Sequence, residues 1–448
     1  MMMNILKEDV ARLLNIPVRT ISNHCSDFSG SIITLNEYRS LVEQFGSNSA
    51  DELCKVAKNV YYDGKGRYLL AIPLLEKAYR LGNKETLFQL SEIYIKGMGV
   101  DVNKELGLKY LNEGLKLGNA KVCYLAGSLL LEGKYLKKDT EIAVQCLDYA
   151  ARHRILEAAR LLGDHYYIGI QIQKSYEKAL EYYLICSEFD DVDSIYNVGV
   201  MYYYGQGTLI NYSKAYEYYK KASGMGSVSA TFNLGVLYRD GICVEKNVRE
   251  AFRLFSVAYS RGDATAACGL AGLYYNGEGI PKDFYKAFEL YQFAHRHGNI
   301  TGTHNLAIMY MNGQGTNRNF HKALELLQKA AEHNDASAYY HIGLIYEFGY
   351  GVKRDIQKAR KFYGVAAYLG YKKAEDRGRL LGKIFLSNEE ILRIGKEYVK
   401  DLIKDQIEDY ISDIVSNAVD KMVDEEGSII GEAVGDLIAD LFVNSILD

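Results

Sequence analysis

Side chains able to do chemistry are present in this sequence, but they are scattered. The nine histidines fall one at a time, except for His295 and His297, an HxH pair whose rings diverge on a helix and make a poor metal site. No HExxH occurs, and none of the seven cysteines (Cys25, Cys54, Cys123, Cys146, Cys186, Cys243, Cys268) forms a CxxC pair. An odd, dispersed set suits reduced thiols buried as small hydrophobes, not zinc or a disulfide frame. Glycine pairs such as Gly205-Gln206-Gly207 have the spacing of a phosphate cradle. No GxxxxGK followed by Ser or Thr is present, so they read as turn punctuation. Carboxylates are many, and none is singled out as a buried pair. The expectation is a protein without catalysis, metal or cofactor.

Two other sets suit recognition. Near the start, Val18, Arg19, Ser22 and Asn23 fall at i, i+1, i+4 and i+5, one face of a short helix. Arg and Asn are the side chains that read guanine and adenine bidentately in a major groove, so these four are candidate DNA contacts. Farther on, Gln89, Asn197, Asn233, Asn305 and His341 recur at one place in a repeated pattern, interrupted by Gly269. Such groups either hydrogen-bond the backbone of a ligand without reading its sequence, or satisfy the loop carbonyls of neighbouring repeats.

The elements that position these residues follow a fixed period of 36. Glycine stands at Gly97, Gly133, Gly169, Gly205, Gly241, Gly277, Gly313 and Gly349, eight times without an insertion. Three residues earlier the chain carries Tyr94, Tyr166, Tyr202, Tyr238, Tyr274, Tyr310 and Tyr346, with Leu130 the exception. Three earlier still it is always small: Ser91, Gly127, Gly163, Gly199, Gly235, Ala271, Ala307, Gly343. A second small column runs Gly107, Ala143, Ala179, Ala215, Ala251, Ala287, Ala323, Ala359. Apolar residues from Ala230 to Tyr238 keep helical spacing, and Gly241 supplies a left-handed stop. A second helix is expected from Val248 to Ser260. Each unit is therefore a helix–turn–helix hairpin whose small residues let two antiparallel helices approach, with stacking of neighbours completing the core. Cys186 and Cys268 fall in core columns, where a thiol is inert.

The segment from 229, Ser-Ala-Thr-Phe-Asn-Leu-Gly-Val-Leu-Tyr-Arg-Asp-Gly, followed by Arg-Glu-Ala-Phe, Ala258 and Gly262, resembles the Sel-one-like repeat (SLR) family, relatives of the tetratricopeptide repeat. The resemblance covers eight units over 84–371. It implies an all-α, right-handed α-solenoid whose first helices line a groove for a peptide or protein, without catalysis. Residues 47–83 echo the pattern through Tyr61, Gly64, Ala78 and Gly82 as a degenerate first repeat. Tyr135 and Gln171 replace the second loop glycine seen at Gly207, Gly279, Gly315 and Gly351, and the turn at Asp190, Asp191 and Asp193 replaces the usual glycine end.

Residues 1–46 lie outside the repeat. From Leu6 to His24 they resemble an excisionase or MerR-like helix-turn-helix. Ala11 packs between helices, Asn15 takes the left-handed turn, Ile21 anchors the second helix, and a third helix over Leu35 to Phe45 braces them. The head sums to −1, however, a poor balance for neutralising phosphates. Residues 372–388 are expected to form a capping helix and linker, and 389–448 an acidic amphipathic helical tail. From 384 onward the chain holds 16 acidic and 5 basic residues, leaving +8 on residues 47–383. Ile403, Ile407, Ile411, Ile414, Ala418 and Met422 form one helical stripe, and Gly431, Gly435 and Ala439 fall four apart. The tail therefore suits docking within the chain or self-association. It is too acidic to span or coat a membrane.

Lys7, Glu8 and Asp9 stand where a signal peptide needs an apolar core, and no run of about 18 apolar residues occurs, so a cytoplasmic protein is expected. The sequence leaves two functions open. One is an SLR scaffold carried to DNA by its head. The other is a protein–protein adaptor whose head and tail are docking or oligomerisation modules.

Overall fold

The computed structural model describes residues 5–25, 31–62 and 67–381. The tail expected over 389–448, and Gly64, lie outside the described residues. The chain divides into two compact units, 1–234 and 235–448.

The first unit opens with β1 (Ile5–Leu6), α1 (Lys7–Leu14), α2 (Val18–Ser22), β2 (Ile32–Ile33) and α3 (Leu35–Phe45). Asn15 ends α1 at φ 54°, Ala11 and Ile21 are buried, and α3 has the bounds expected of it. Thr34 and Glu37 cap α3 reciprocally. Beside the three expected helices the head carries an antiparallel ribbon in which Ile5 faces Ile33 and Leu6 faces Ile32. Alternation explains it, since Ile5 and Ile33 are buried while Leu6 and Ile32 are exposed. Two-residue strands are too short to leave a period in the sequence.

A first hairpin, α4 (Ala50–Tyr61) and α5 (Tyr68–Arg80), follows the head. Helix α5 holds the head by polar contacts. The Tyr38 hydroxyl donates to the Leu70 carbonyl at 2.9 Å, and Arg39 reaches both Glu76 oxygens at 2.9 and 3.1 Å. Hairpins then repeat: α6 (Leu87–Lys96) with α7 (Lys104–Lys116), α8 (Ala120–Glu132) with α9 (Thr140–Arg152), α10 (Leu156–Ile168) with α11 (Tyr176–Ser187), and α12 (Val192–Tyr204) with α13 (Tyr212–Gly224). Helix α14 (Val228–Asp240) contains the division between the units.

The second unit continues with α15 (Val248–Ser260), α16 (Ala264–Asn276), α17 (Phe284–Arg296), α18 (Ile300–Asn312), α19 (Phe320–Ala331), α20 (Ala336–Phe348), α21 (Ile356–Tyr368) and α22 (Lys372–Leu380). Within each unit the second helix of one hairpin packs on the first helix of the next, so the architecture is an all-α stack of helical repeats, the α-solenoid class. Helix α22 closes on the last hairpin, where Arg377 reaches Glu347 at 2.9 and 2.6 Å and the Tyr363 hydroxyl donates to the same carboxylate at 2.6 Å.

The columns have steric causes. A Cβ at Gly199 would stand 2.8 Å from the Tyr219 ring, and one at Gly343 2.6 Å from Tyr363, so the small column makes room for the partner helix's aromatic. The second loop glycine is needed for close approach as well as for its positive φ: a Cβ at Gly207 would lie 2.4 Å from the Tyr176 backbone. A further column is the N-cap of each second helix. Asp139, Ser175, Asn211, Asn247, Asp283, Asn319 and Asp355 each accept from the third backbone N–H. Their own N–H groups return to the tyrosine-column carbonyls, as from Asn319 to Tyr310 at 2.9 Å, which closes the hairpin.

Three departures concern thiols and turns. Cys243 is exposed, against the expectation of buried cysteines, because it fills the second loop-glycine place at φ 56°. Gln171 holds the same place at φ 68°. At the other end of the hairpins Arg154, Asp190 and Asn334 adopt the left-handed conformation elsewhere given to glycine. Among the described residues no helix is long and apolar enough to cross a membrane.

Candidate functional site

The recurring amides lie on the first helices. Gln89 on α6 is buried, and its Nε2 donates to the Tyr62 hydroxyl at 3.2 Å while Oε1 has no partner. Asn197 on α12 and Asn305 on α18 are half-buried, and neither side chain makes a hydrogen bond among the described residues. Asn233 on α14 reaches the Tyr196 hydroxyl at 3.4 Å. These amides therefore do not satisfy the loop carbonyls of neighbouring repeats. Two face the hydroxyls of tyrosines earlier in the chain, one just past α4 and one on α12, and two are open. Neither Tyr62 nor Tyr196 belongs to the tyrosine column, so the 36-residue pattern does not point to them.

His341 on α20 is different. Its Nδ1 pairs with the Ser337 carbonyl at 2.7 Å, within its own helix, and its ring lies edge-on to His304 at 5.1 Å. Burial, reinforced by His304, pushes His341 down to about 4. His304 in turn meets Asp335 at 2.9 Å and the Ser337 hydroxyl at 3.2 Å, both through Nδ1, and the same hydroxyl stands 3.5 Å from Nε2. Burial alone would raise the Asp335 carboxyl, but hydrogen bonds from His304 and Ser337 hold it at about 2.

A Ser–His–Asp set invites a catalytic reading, and the geometry refuses it. A nucleophilic triad needs serine and aspartate on opposite ring nitrogens. Here the Ser337 hydroxyl donates to Asp335 at 2.7 Å, and Asp335 accepts from the Ser337 and Ala338 N–H groups as the N-cap of α20. The cluster caps a helix. His295 pairs with the Thr303 hydroxyl at 2.9 Å and His297 with the Phe293 carbonyl at 2.9 Å, so the HxH rings are separately engaged. Among the described residues no group of three His, Cys, Asp or Glu side chains is placed to hold a metal ion. Burial pushes the Cys186 thiol up to about 11 and that of Cys268 to about 12, well away from a thiolate at neutral pH.

In the head, Val18, Arg19 and Asn23 are exposed and Ser22 is half-buried. Helix α2 has five residues, and Asn23 caps it in helical geometry, its N–H on the Arg19 carbonyl at 3.1 Å. Lys7 is buried and donates to the Ser22 hydroxyl at 3.4 Å, so Ser22 is engaged from within the head. The eight repeat glycines Gly97, Gly133, Gly169, Gly205, Gly241, Gly277, Gly313 and Gly349 end their helices at φ between 68° and 82°.

The Sel1 repeat model matches residues 84–119, 120–154, 156–185, 192–227, 228–263, 264–299, 301–335 and 336–371. The chain belongs to the Sel1 repeat family. Solved structures similar to it include two that cover more than two thirds of the chain. A protective antigen of uropathogenic Escherichia coli strains displaying an SLR fold is 19% identical, with 95% of this chain and 98% of that one covered at a TM-score of 0.53. A Sel1 repeat protein from Oxalobacter formigenes is 20% identical, with 68% and 89% covered at a TM-score of 0.53. No curated protein matches this chain. Sel1 repeat proteins serve as protein-interaction scaffolds.

Proposed function

We propose that this chain is a non-catalytic adaptor, each unit of which holds extended backbone of a protein partner on the first-helix faces of its repeats. The observation that carries this reading is the pair Asn197 and Asn305, half-buried amides whose donors and acceptors are open among the described residues. An amide offers one acceptor and two donors, which suits the N–H and C=O of an extended backbone and leaves sequence largely unread. The Gln89 carbonyl oxygen, buried without a partner, adds a third open acceptor.

Selection of displayed peptides on the full-length protein tests it. Enriched peptides should share an extended character more than a side-chain consensus. Asn197→Ala and Asn305→Ala should each weaken a selected peptide about five- to tenfold, one net hydrogen bond apiece. Unchanged affinity in both variants contradicts the reading.

A second reading rests on Arg19, which is exposed on the same turn as Val18 and Asn23 and has no ion pair among the described residues. It assigns the head to duplex DNA. Enrichment of a short motif from a random duplex pool, lost in Arg19→Ala/Asn23→Ala, supports it. Binding that ignores the substitutions rejects it. The head's net charge of −1 and the brevity of α2 favour the adaptor.

A further inference from the structure

The second unit carries a ladder of cations that its own carboxylates leave uncovered. Lys282, Arg318 and Arg354 stand just before the N-caps of α17, α19 and α21, and Lys286, Lys322 and Lys358 lie one turn into the same helices. All six are exposed. Five rest on rings: Lys282 over Phe284 at 5.4 Å, Lys286 over Tyr274 at 5.1 Å, Arg318 over Phe320 at 5.4 Å, Lys322 over Tyr310 at 5.6 Å and Lys358 over Tyr346 at 5.2 Å. Arg354 donates to the Glu347 carbonyl at 3.0 Å. Only Lys286 forms an ion pair among the described residues, with Asp283 at 3.7 Å, and the Glu347 carboxylate acts on Arg354 at longer range. A ring holds a cation in place without neutralising it. The helix N-termini add positive potential along the same edge.

Beside Lys322 opens a cleft of about 290 Å³ between α17 and α19. Leu306, Tyr310 and Leu326 form its apolar lining, with His295, Arg296 and Lys322 on the rim. The one rim carboxylate, Glu325, is paired with Lys329 at 2.9 Å. An apolar floor inside a basic rim fits an acidic amphipathic segment: aliphatic side chains enter, and flanking carboxylates meet the cations.

We infer that this cleft and ladder form the docking site of the chain's own acidic segment, 389–448, seated by the isoleucines at 403, 407, 411 and 414. Three facts argue for that occupant. Residues 235–381 hold 20 Lys and Arg against 14 Asp and Glu, while residues from 384 onward sum to −11. The aliphatic stripe is flanked by carboxylates at Asp401, Asp405, Glu408, Asp409 and Asp413. Reach is sufficient, because 21 residues separate Leu381 from Ile403. That length spans up to about 70 Å when extended. The cleft lies only two hairpins before Leu381, roughly 20–30 Å at the usual spacing of packed helices.

Zero-length carboxylate–amine cross-linking of the full-length protein, read by peptide mass spectrometry, tests the site. The expected products join Lys322, and its ladder neighbours Lys286 and Lys358, to carboxylates within 401–413, in a band that stays monomeric on dilution. Their yield should fall at least fivefold in 0.5 M salt and in Asp405→Asn/Asp409→Asn/Asp413→Asn, which leaves the repeats untouched. Ile407→Asp/Ile411→Asp should lower it equally, although it adds negative charge, because the cleft takes the aliphatic side chains. Products spread evenly over the lysines of the chain overturn the site, as does an undiminished yield in the isoleucine variant. Products found only in a concentration-dependent dimer band assign the cleft to a second copy and overturn docking within the chain.

Discussion

The ammonium of Lys77 on α5 lies 3.0 Å from the carbonyl oxygen of Val42 on α3, and it is almost fully buried there. It also donates to the Glu43 and Gly46 carbonyls at 3.1 and 3.0 Å. The Val42 carbonyl also accepts the Gly46 N–H at 2.9 Å, whereas the Glu43 and Gly46 carbonyls lie where the chain leaves α3 in an extended conformation without a left-handed cap. One lysine therefore terminates the head's last helix and ties the head to the first hairpin.

Lys77→Met keeps the length of the side chain and removes all three donors. The variant should lose about 1–3 kcal/mol, measured by denaturant unfolding, because the part-buried Glu43 and Gly46 carbonyls lose their donor. It should also free α3 for hydrogen exchange ahead of α6. A loss below about 0.5 kcal/mol contradicts the capping role.

The left-handed turn positions make an opposed pair of predictions. Gln171 and Cys243 hold positive φ without being glycine, so Gln171→Gly and Cys243→Gly should each be neutral or stabilising by up to about 1 kcal/mol in thermal or chemical melts. Gly207→Ala should cost about 1–3 kcal/mol, since its Cβ would meet the Tyr176 backbone at 2.4 Å. Equal effects in both directions would mean that φ does not govern these turns.

These turns also show how much could be read beforehand. The repeat was legible because its columns are steric: a glycine that ends a helix or admits a tyrosine ring has few substitutes, so residue type reports geometry directly. Asn15 in the head was legible for the same reason. The ribbon at Ile5 and Ile33 was not, because two residues cannot show a period. Lys77 was hidden because a lysine on an amphipathic helix reads as a solvated charge. The turn at Cys243 is not legible because its residue type does not report a positive φ. At the candidate site the amide column was visible, whereas its tyrosine partners and the pairing of His304 with Asp335 depend on how successive helices stack.

His341 sets a pH dependence. Its folded value, about 4, lies below the ordinary 6.5, so unfolding takes up a proton between those limits. The neutral ring therefore contributes its full stability above about pH 6.5 and loses it as pH falls through 4. The facing titratable groups are His304, Asp335 and Lys373. Asp335, held near 2, adds a loss of its own only at lower pH, below its ordinary 3.8. From pH 7 to 4.5 the second unit should lose about 1–3 kcal/mol. His341→Asn, which installs the residue of the other repeats, should flatten that slope in melts followed across the range. An unchanged slope would place the titration elsewhere.

In the proposed adaptor, open amides on the first helices hold a partner by its backbone. The most direct measurement compares one selected peptide with forms of it methylated singly at each backbone nitrogen, by calorimetric titration against the full-length protein and Asn305→Ala. Methylation at the one or two nitrogens facing Asn305 should cut affinity about tenfold in the wild type and hardly at all in the variant. If every methylated form binds both proteins like the parent peptide, the backbone is not what these repeats hold.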